Sequence, residues 1–222
     1  HFLCAWSEAV TNLVHGAMSA MTPVLSINSL LKPPCCVSLK TAALLITIDD
    51  AGKAAQKIAD LRINPLYYVR GAVCHPSYIP LDRIFQKHHS ARKAIRPVIK
   101  NILVTMGGSD TYGFTPHVIR ILGHSWAKEC ALTVIRGPAS KHSPRHIQTL
   151  LGAAKNTRLL NSIPQKAMLR WMQWADLAIC AGGNTLFELA CTGTPSISIA
   201  SEPFEEETVL RMQKLGVCLG IP

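Results

Sequence analysis

Residues 177–200 constrain what this chain can fold into more than any other stretch. They open with a short apolar run, Leu177 to Cys180, which has the composition of a strand buried on both faces of a sheet. Gly182 and Gly183 follow and let the backbone turn tightly or approach a ligand closely. Apolar residues then recur at helical spacing until glycine, threonine and proline end the helix, and a second strand-like run follows. The stretch therefore predicts a strand, a glycine turn, a helix and a strand.

The start of that helix has two interpretations. Thr185 and Glu188 have the spacing of a capping box, in which the two side chains satisfy the first amides of the helix and bind nothing else. Alternatively, the backbone amides of residues 182–185 lie at a helix N-terminus, where a phosphate can bind. Short glycine motifs are weak signals, so the spacing leaves both interpretations open.

A second predicted strand runs into a similar turn. Val104 to Ser109 and Ile179 to Asn184 each combine the end of a strand, two glycines and a small polar residue. From residue 101 onward strands alternate with helices, which predicts a parallel, doubly wound sheet with right-handed crossovers. Ligands of such sheets bind beyond the carboxyl ends of the strands, where the strand order reverses. Two such turns can therefore line one crevice.

Hydrophobic periodicity and helix-breaking residues predict the remaining elements. The predicted strands are 43–48, 66–69, 102–106, 131–136, 158–160, 177–180, 196–200 and 217–219, and the predicted helices are 9–21, 51–59, 115–126, 144–153, 164–174, 185–192 and 205–215. Three prolines with charged residues between them indicate a linker over roughly 70–99.

Composition bounds the class of protein. Of the 222 residues, 48% are hydrophobic, which is enough for a real core. The net charge of +10 favours anionic partners, but the basic residues are scattered, so we expect no nucleic-acid binding. The sequence contains no run of about eighteen apolar residues, so it predicts no transmembrane segment. The eight cysteines form no Cys-x-x-Cys pair, and we expect reduced thiols in a cytoplasmic protein. The chain begins with His1, and we expect a fragment or a processed start.

Other constellations predict no chemistry. His142 and His146 have the spacing of metal ligands on a helix, but Pro144 lies between them and no third ligand is evident. We interpret them as a solvated pair and expect no metal site. The sequence also lacks the Gly-x-Ser-x-Gly turn of many serine hydrolases.

Several spaced motifs resemble one protein family. The sequence resembles the UDP-sugar hydrolases of pseudaminic acid biosynthesis and the related spore-coat polysaccharide proteins, and is more distantly similar to the UDP-GlcNAc transferase of peptidoglycan synthesis. The motifs that carry the resemblance are Val104 to Asp110, Ala175 to Ile179, Ala181 to Glu188, Gly193 to Pro195, Ile48 to Asp50 and Tyr78 to Leu81. The resemblance covers about residues 43–221.

The resemblance implies an α/β, GT-B-like fold with two domains and a nucleotide sugar in the cleft. We expect a partial N-terminal α/β domain and the start of a linker over 1–85, and a C-terminal, Rossmann-like nucleotide-sugar-binding domain over 86–222. The implied activity is hydrolysis of a UDP-sugar at the anomeric carbon with release of UDP, in surface polysaccharide or nonulosonic-acid sugar biosynthesis. The alternatives are a GT-B glycosyltransferase with a UDP-sugar donor and a non-catalytic nucleotide-sugar-binding module. No cofactor is implied, and the oligomeric state is left open.

The resemblance also implies roles for residues of the central turn. Gly182, Gly183, Asn184 and Thr185 would hold the diphosphate of the nucleotide. Glu188 would accept hydrogen bonds from the ribose hydroxyls.

Further candidates lie on other segments. Gly107, Gly108 and Ser109 would border the cleft from the neighbouring strand. Tyr78 and Glu206 are additional candidates for contacts with the nucleotide sugar.

Two departures from the family pattern bear on activity. The family's first domain opens with a glycine-rich loop that carries a histidine proposed to assist catalysis, and this chain has no counterpart to it, so we assign no catalytic residue. Many members also carry an Asn-Gln pair after the last long strand, where this chain has the acidic stretch 202–208. Both departures favour an altered substrate or a chain that binds without turnover.

Overall fold

The computed structural model describes residues 24–27, 45–48, 59–65, 69–75, 78–79, 81–88, 93–152, 156–203 and 205–222. The chain divides into two compact units, residues 1–80 and 81–222. The predicted helix 9–21 and residues 51–58 of the predicted helix 51–59 lie outside the described residues.

The first unit contains a small parallel sheet. Its strands are β1 (Val24–Ile27), β2 (Leu45–Ile48) and β3 (Leu61–Ile63), in the order β1-β2-β3. Strand β2 confirms the predicted strand 43–48. Strand β3 was not predicted, because three residues with an arginine at their centre give no readable pattern. Of the predicted strand 66–69, residues 66–68 lie outside the described residues and Val69 is not in a strand.

The second unit is a six-stranded parallel sheet with helices between its strands. The strand order is β6-β5-β4-β7-β8-β9, and every neighbouring pair is parallel. This confirms the predicted doubly wound sheet. The elements are α1 (Arg83–His88), β4 (Asn101–Thr105), α2 (Phe114–Gly123), a 3-10 helix (Trp126–Glu129), β5 (Ala131–Arg136), α3 (Pro144–Leu151), β6 (Thr157–Asn161), α4 (Gln165–Trp174), β7 (Leu177–Ala181), α5 (Asn184–Thr192), β8 (Ser196–Ile199), α6 (Glu205–Lys214) and β9 (Leu219–Ile221).

The central strands are buried on both faces. Ile102, Leu103 and Val104 follow one another along β4, and none is more than 1% exposed. Alternate side chains of a strand point to opposite faces, so helices must cover both faces of the sheet here. Each such side chain stabilises the fold by about 1.5–3 kcal/mol relative to exposure. The continuous apolar runs of the sequence are the cause of this layered arrangement.

Local sequence signals set several helix ends. Gly193 closes α5 with a positive φ of 66°, a left-handed conformation that glycine adopts without strain. Ser143 begins α3, where its hydroxyl accepts a hydrogen bond from the His146 amide at 3.2 Å and Pro144 occupies the first turn.

The structure corrects three predicted boundaries. Helix α1 lies within the predicted linker 70–99 and is capped by Asp82, whose side chain accepts a bond from the Ile84 amide. Helix α2 ends at Gly123 instead of residue 126, because Ser125 caps the separate 3-10 turn. Strand β9 begins at Leu219 instead of Val217, since the Val217 amide still bonds to Met212 at the end of α6.

Two compositional expectations can be compared with the described residues. Among these residues, no helix combines the length and apolar character needed to cross a membrane. Cys130, Cys180 and Cys191 are buried, and the prediction of reduced cysteines stays a prediction.

Candidate functional site

The two glycine turns leave neighbouring strands at the point where the strand order reverses. From β4 the chain proceeds outward through β5 and β6, and it then returns to the other side of β4 and proceeds through β7, β8 and β9. The reversal therefore lies between β4 and β7. Thr105 pairs with Cys180 in the parallel register, so both turns start at the same level of the carboxyl edge. This is where ligands of open α/β sheets bind.

The turn after β4 rests on the loop that follows β5. Gly107 has a positive φ of 69°, which a side chain would strain. A Cβ at Gly137 would lie 2.6 Å from the Gly108 carbonyl carbon and nearer still to the carbonyl oxygens of Gly107 and Gly108. The Ala139 amide donates to the Gly108 carbonyl at 2.9 Å. Close packing of backbone on backbone thus fixes the shape of this turn.

Asp110 ends the same turn and has a structural role. Its carboxylate is 3% exposed and accepts hydrogen bonds from the amides of Phe114 at 2.8 Å and Thr115 at 3.2 Å. It therefore satisfies the N-terminus of α2. Ser109 is exposed and its hydroxyl lies 3.0 Å from that of Thr111, so Ser109 faces solvent at this edge.

The turn after β7 is held by a buried carboxylate from α6. One oxygen of Glu205 accepts hydrogen bonds from the Gly182 amide at 3.2 Å, the Ser201 amide at 2.9 Å and the Ser201 hydroxyl at 2.8 Å. A Cβ at Gly182 would lie 2.5 Å from Val209, and one at Gly183 would lie 3.0 Å from the other Glu205 oxygen. The sequence patterns did not predict this role of Glu205. The feature that could have indicated it is the position of Glu205 just beyond β8, at the carboxyl edge of the sheet.

Helix α5 begins at this turn without a side-chain cap. Gly183 is the N-cap, and Asn184 and Thr185 are the first two helical residues. Their amides have no acceptor within the helix, because the first four N–H groups of an α-helix lack one. The capping-box interpretation of Thr185 and Glu188 is wrong, since Thr185 is not the N-cap and Glu188 lies beyond the third helical position. The start of α5 therefore offers backbone donors that no capping side chain satisfies.

Glu188 lies one turn further along α5 and is 7% exposed. Its carboxylate accepts a hydrogen bond from the Gln165 side chain, at the start of α4, at 3.1 Å. Burial raises the pKa of Glu188 to about 7; the Gln165 hydrogen bond opposes this shift, and the charge of Asp82 adds to it. Glu188 can therefore change its charge near neutral pH. No motif in the sequence pointed to Gln165.

Glu206 lies on a pocket at the same edge. The pocket has a volume of about 380 Å³ and is lined by residues that follow β4, including Tyr112 and Phe114, and by residues that follow β8, including Ser201 and Glu206. Strands β4 and β8 flank β7, so this pocket and both glycine turns share the carboxyl edge.

The remaining candidates are Tyr78 and the two histidines, His142 and His146. Tyr78 belongs to the first unit, where it packs on Ile46 and Ile63, and its predicted contact with the nucleotide sugar stays a prediction. The rings of His142 and His146 stack with their centroids 5.9 Å apart. Within the described ranges, no group of three or more His, Cys, Asp or Glu residues could hold a metal ion.

Comparisons with known proteins give a protein of similar sequence and a protein of similar structure. No family model matches. The chain is 24% identical over 198 residues to the spore coat polysaccharide biosynthesis protein SpsG of Bacillus subtilis, and this match covers 83% of the chain and 57% of SpsG. The structure matches that of Acinetobacter baumannii MurG with a TM-score of 0.57 and 15% identity, over 99% of this chain and 64% of MurG. The chain thus spans less than two thirds of either protein. It has a GT-B-like α/β fold.

Proposed function

We propose that this chain binds a UDP-sugar at the carboxyl edge of its six-stranded sheet and takes part in sugar transfer during polysaccharide biosynthesis. The observation that carries the proposal is the position of the two glycine turns, which leave adjacent strands β4 and β7 at the reversal of strand order. The similarity to a spore coat polysaccharide biosynthesis protein supports the biological context.

The diphosphate would bind the start of α5. The Gly182 amide is engaged by Glu205, so the proposal rests on the amides of Gly183, Asn184 and Thr185. Neither glycine turn contains a basic side chain, and the helix dipole and these amides would therefore balance the negative charge. The same groups would stabilise UDP as charge develops on the leaving group. Gly107, Gly108 and Ser109 would border the sugar side of this site.

Glu188 would bind the ribose. An ionised carboxylate accepts several hydrogen bonds, and its two oxygens suit two neighbouring hydroxyls. The Gln165 side chain holds one of these oxygens at 3.1 Å, which limits the rotation of the carboxylate. Glu206, which lines the neighbouring pocket, would lie near the sugar.

Transfer fits the comparisons better than hydrolysis does. The family resemblance in the sequence favoured a hydrolase, but neither matched protein is described by name as one. The assembly of a polysaccharide includes steps in which a sugar is transferred to an acceptor, which is the chemistry of a glycosyltransferase.

Calorimetric titration of the full chain with UDP, UMP and uridine tests the nucleotide site. We expect UDP to bind most tightly, with a dissociation constant on the order of micromolar to submillimolar, as for typical enzyme substrates. UMP should bind more weakly and uridine most weakly, because the α5 amides recognise the phosphates. Equal affinity for the three compounds would contradict the proposed diphosphate contacts.

A time course of free UDP release separates the candidate activities. A transferase should release UDP from its UDP-sugar slowly in water and rapidly once the acceptor polysaccharide is added. Rapid release without an acceptor would identify a hydrolase. Tight binding with no release under either condition would identify a non-catalytic binding module.

A further inference from the structure

The opposite edge of the same sheet carries a second cavity. It has a volume of about 570 Å³ and lies between the C-terminal halves of α2 and α3, the 3-10 helix and the first residues of β5 and β6. The glycine turns lie at the carboxyl edge, whereas this cavity lies at the amino ends of the strands. It is thus separate from the proposed sugar site and does not depend on that proposal.

The walls of the cavity are apolar. Ile119 and Leu122 come from α2, Leu132 from β5, and Leu150 and Leu151 from α3. Three of the surrounding elements thus present hydrocarbon to one space. A volume of this size falls in the range of small-molecule pockets, which is about 300–1,000 Å³.

The ionisable side chains that line the cavity are an arginine, a histidine and a lysine. Arg120 and His124 are one helical turn apart, so they share a face, and Lys128 follows in the 3-10 helix. All three are exposed, and among the described residues that line the cavity none is acidic. These three side chains therefore reach water while the apolar side chains form the interior.

We propose that this cavity binds a single-chain amphiphile with an anionic headgroup. The acyl chain would lie among the leucine and isoleucine side chains, and a phosphate or carboxylate headgroup would contact Arg120, His124 and Lys128. A small inorganic anion would gain nothing from the apolar side chains, and an uncharged hydrocarbon would gain nothing from the charged rim. Only a ligand that combines both parts satisfies the apolar walls and the basic rim together.

Matched soluble probes test this proposal. Titration of the full chain with dodecyl phosphate, dodecanol and inorganic phosphate, below micelle-forming concentrations, compares headgroup and chain separately. We expect saturable binding of dodecyl phosphate at least about tenfold tighter than dodecanol, which corresponds to 1.4 kcal/mol, and no binding of inorganic phosphate in the same range. Equal affinity for dodecyl phosphate and dodecanol, or binding only to phosphatidylglycerol vesicles, would overturn it.

Two kinds of variant locate the binding. Reversal of the charge of the rim by Arg120→Glu and Lys128→Glu should weaken dodecyl phosphate binding at least about tenfold at low salt. The affinity for dodecanol should not change. Leu122→Trp should fill the cavity and abolish the binding of both. Lys214→Glu, on α6 and outside the cavity lining, is a charge-reversal control for each single rim substitution, and thermal unfolding identifies variants that keep the fold. Unchanged dodecyl phosphate affinity in the folded rim variant would overturn the proposal.

Discussion

The Glu205 carboxylate accepts a hydrogen bond from the Gly182 amide at 3.2 Å and thereby ties helix α6 to the glycine turn after β7. The same oxygen accepts two hydrogen bonds from Ser201, which follows β8. One buried side chain therefore joins the ends of two neighbouring strands. The turn is held in shape by the protein's own groups, which leaves the next amides along the chain for a ligand.

Replacement of Glu205 should destabilise the protein. Glu205→Ala removes an acceptor of three hydrogen bonds and leaves buried donors without a partner, at a cost of about 2 kcal/mol or more in the free energy of unfolding. Urea denaturation measures this change. Glu207→Ala, on the exposed face of the same helix, is the control and should change stability by less than about 0.5 kcal/mol. Equal effects of the two substitutions would show that the Glu205 bonds contribute nothing.

A methyl group at Gly137 should disturb the turn after β4. Gly137→Ala places a Cβ against the carbonyl groups of Gly107 and Gly108, which cannot move away as a flexible side chain could. We expect a loss of about 1–3 kcal/mol in unfolding free energy, together with weaker UDP binding. Gly123→Ala is the control, because a Cβ there meets no atom within 4 Å. A Gly137→Ala protein as stable as the control would contradict the described packing.

The stability contributed by Glu188 should depend on pH. Burial raises the pKa of this carboxyl from 4.5 in the unfolded chain to about 7 in the folded one, so the folded protein binds more protons between these values. Stability should therefore fall as pH rises from about 4.5 to 7, by on the order of 2–3 kcal/mol. Glu188→Gln should lack this part of the decline. Urea unfolding of both proteins at pH 5 and pH 7.5 measures it, and parallel declines would contradict the raised pKa.

Lys93 should stabilise the ends of two helices. Its ammonium group donates to the carbonyl oxygens of Met172 and Ala175, where α4 ends, and to the Thr194 hydroxyl beyond α5. Lys93→Met removes this donor from all three acceptors, of which the Met172 carbonyl keeps the Thr194 hydroxyl as a donor, and should cost about 1–3 kcal/mol in unfolding free energy. Lys100→Met, which alters an exposed side chain nearby, should cost less than about 0.5 kcal/mol.

The same lysine gives a second, alkaline signature. Burial lowers the pKa of Lys93 to about 8, with Asp176 opposing the shift and Arg96 adding to it. The unfolded chain therefore binds more protons than the folded one between pH 8 and 10.5, and stability gains a rising component across that window. The Lys93→Met protein should lack that component. An identical pH dependence in the two proteins would contradict the partial burial of the ammonium group.

Much of the fold was predictable because its signals are local. Apolar runs and glycine or proline breaks located the strands and helices of the second unit, and the predicted strand 131–136 has the observed bounds. The parallel sheet and the meeting of the two glycine turns followed from the alternation of strands and helices.

The missed features depend on contacts between residues distant in sequence. Glu205 bonds to Gly182 across 23 positions, and Gln165 bonds to Glu188 across the same separation. No periodicity encodes such pairs. The capping-box error has a related cause: Thr185 and Glu188 have the right spacing, but the backbone enters the helix at Gly183 and shifts both out of the capping positions. Helix α1 was missed because six residues are too few to show a helical period.

Calorimetric titration of UDP into the full chain and into Glu188→Ala tests the proposed nucleotide site most directly, with Glu207→Ala as the control. The proposal predicts that the wild-type chain and the control bind UDP with similar affinity. Glu188→Ala should bind at least about tenfold more weakly, because it loses hydrogen bonds to a charged acceptor worth about 1.5–3 kcal/mol. No UDP binding by the wild-type chain, or equal binding by Glu188→Ala, would contradict a nucleotide site at the start of α5.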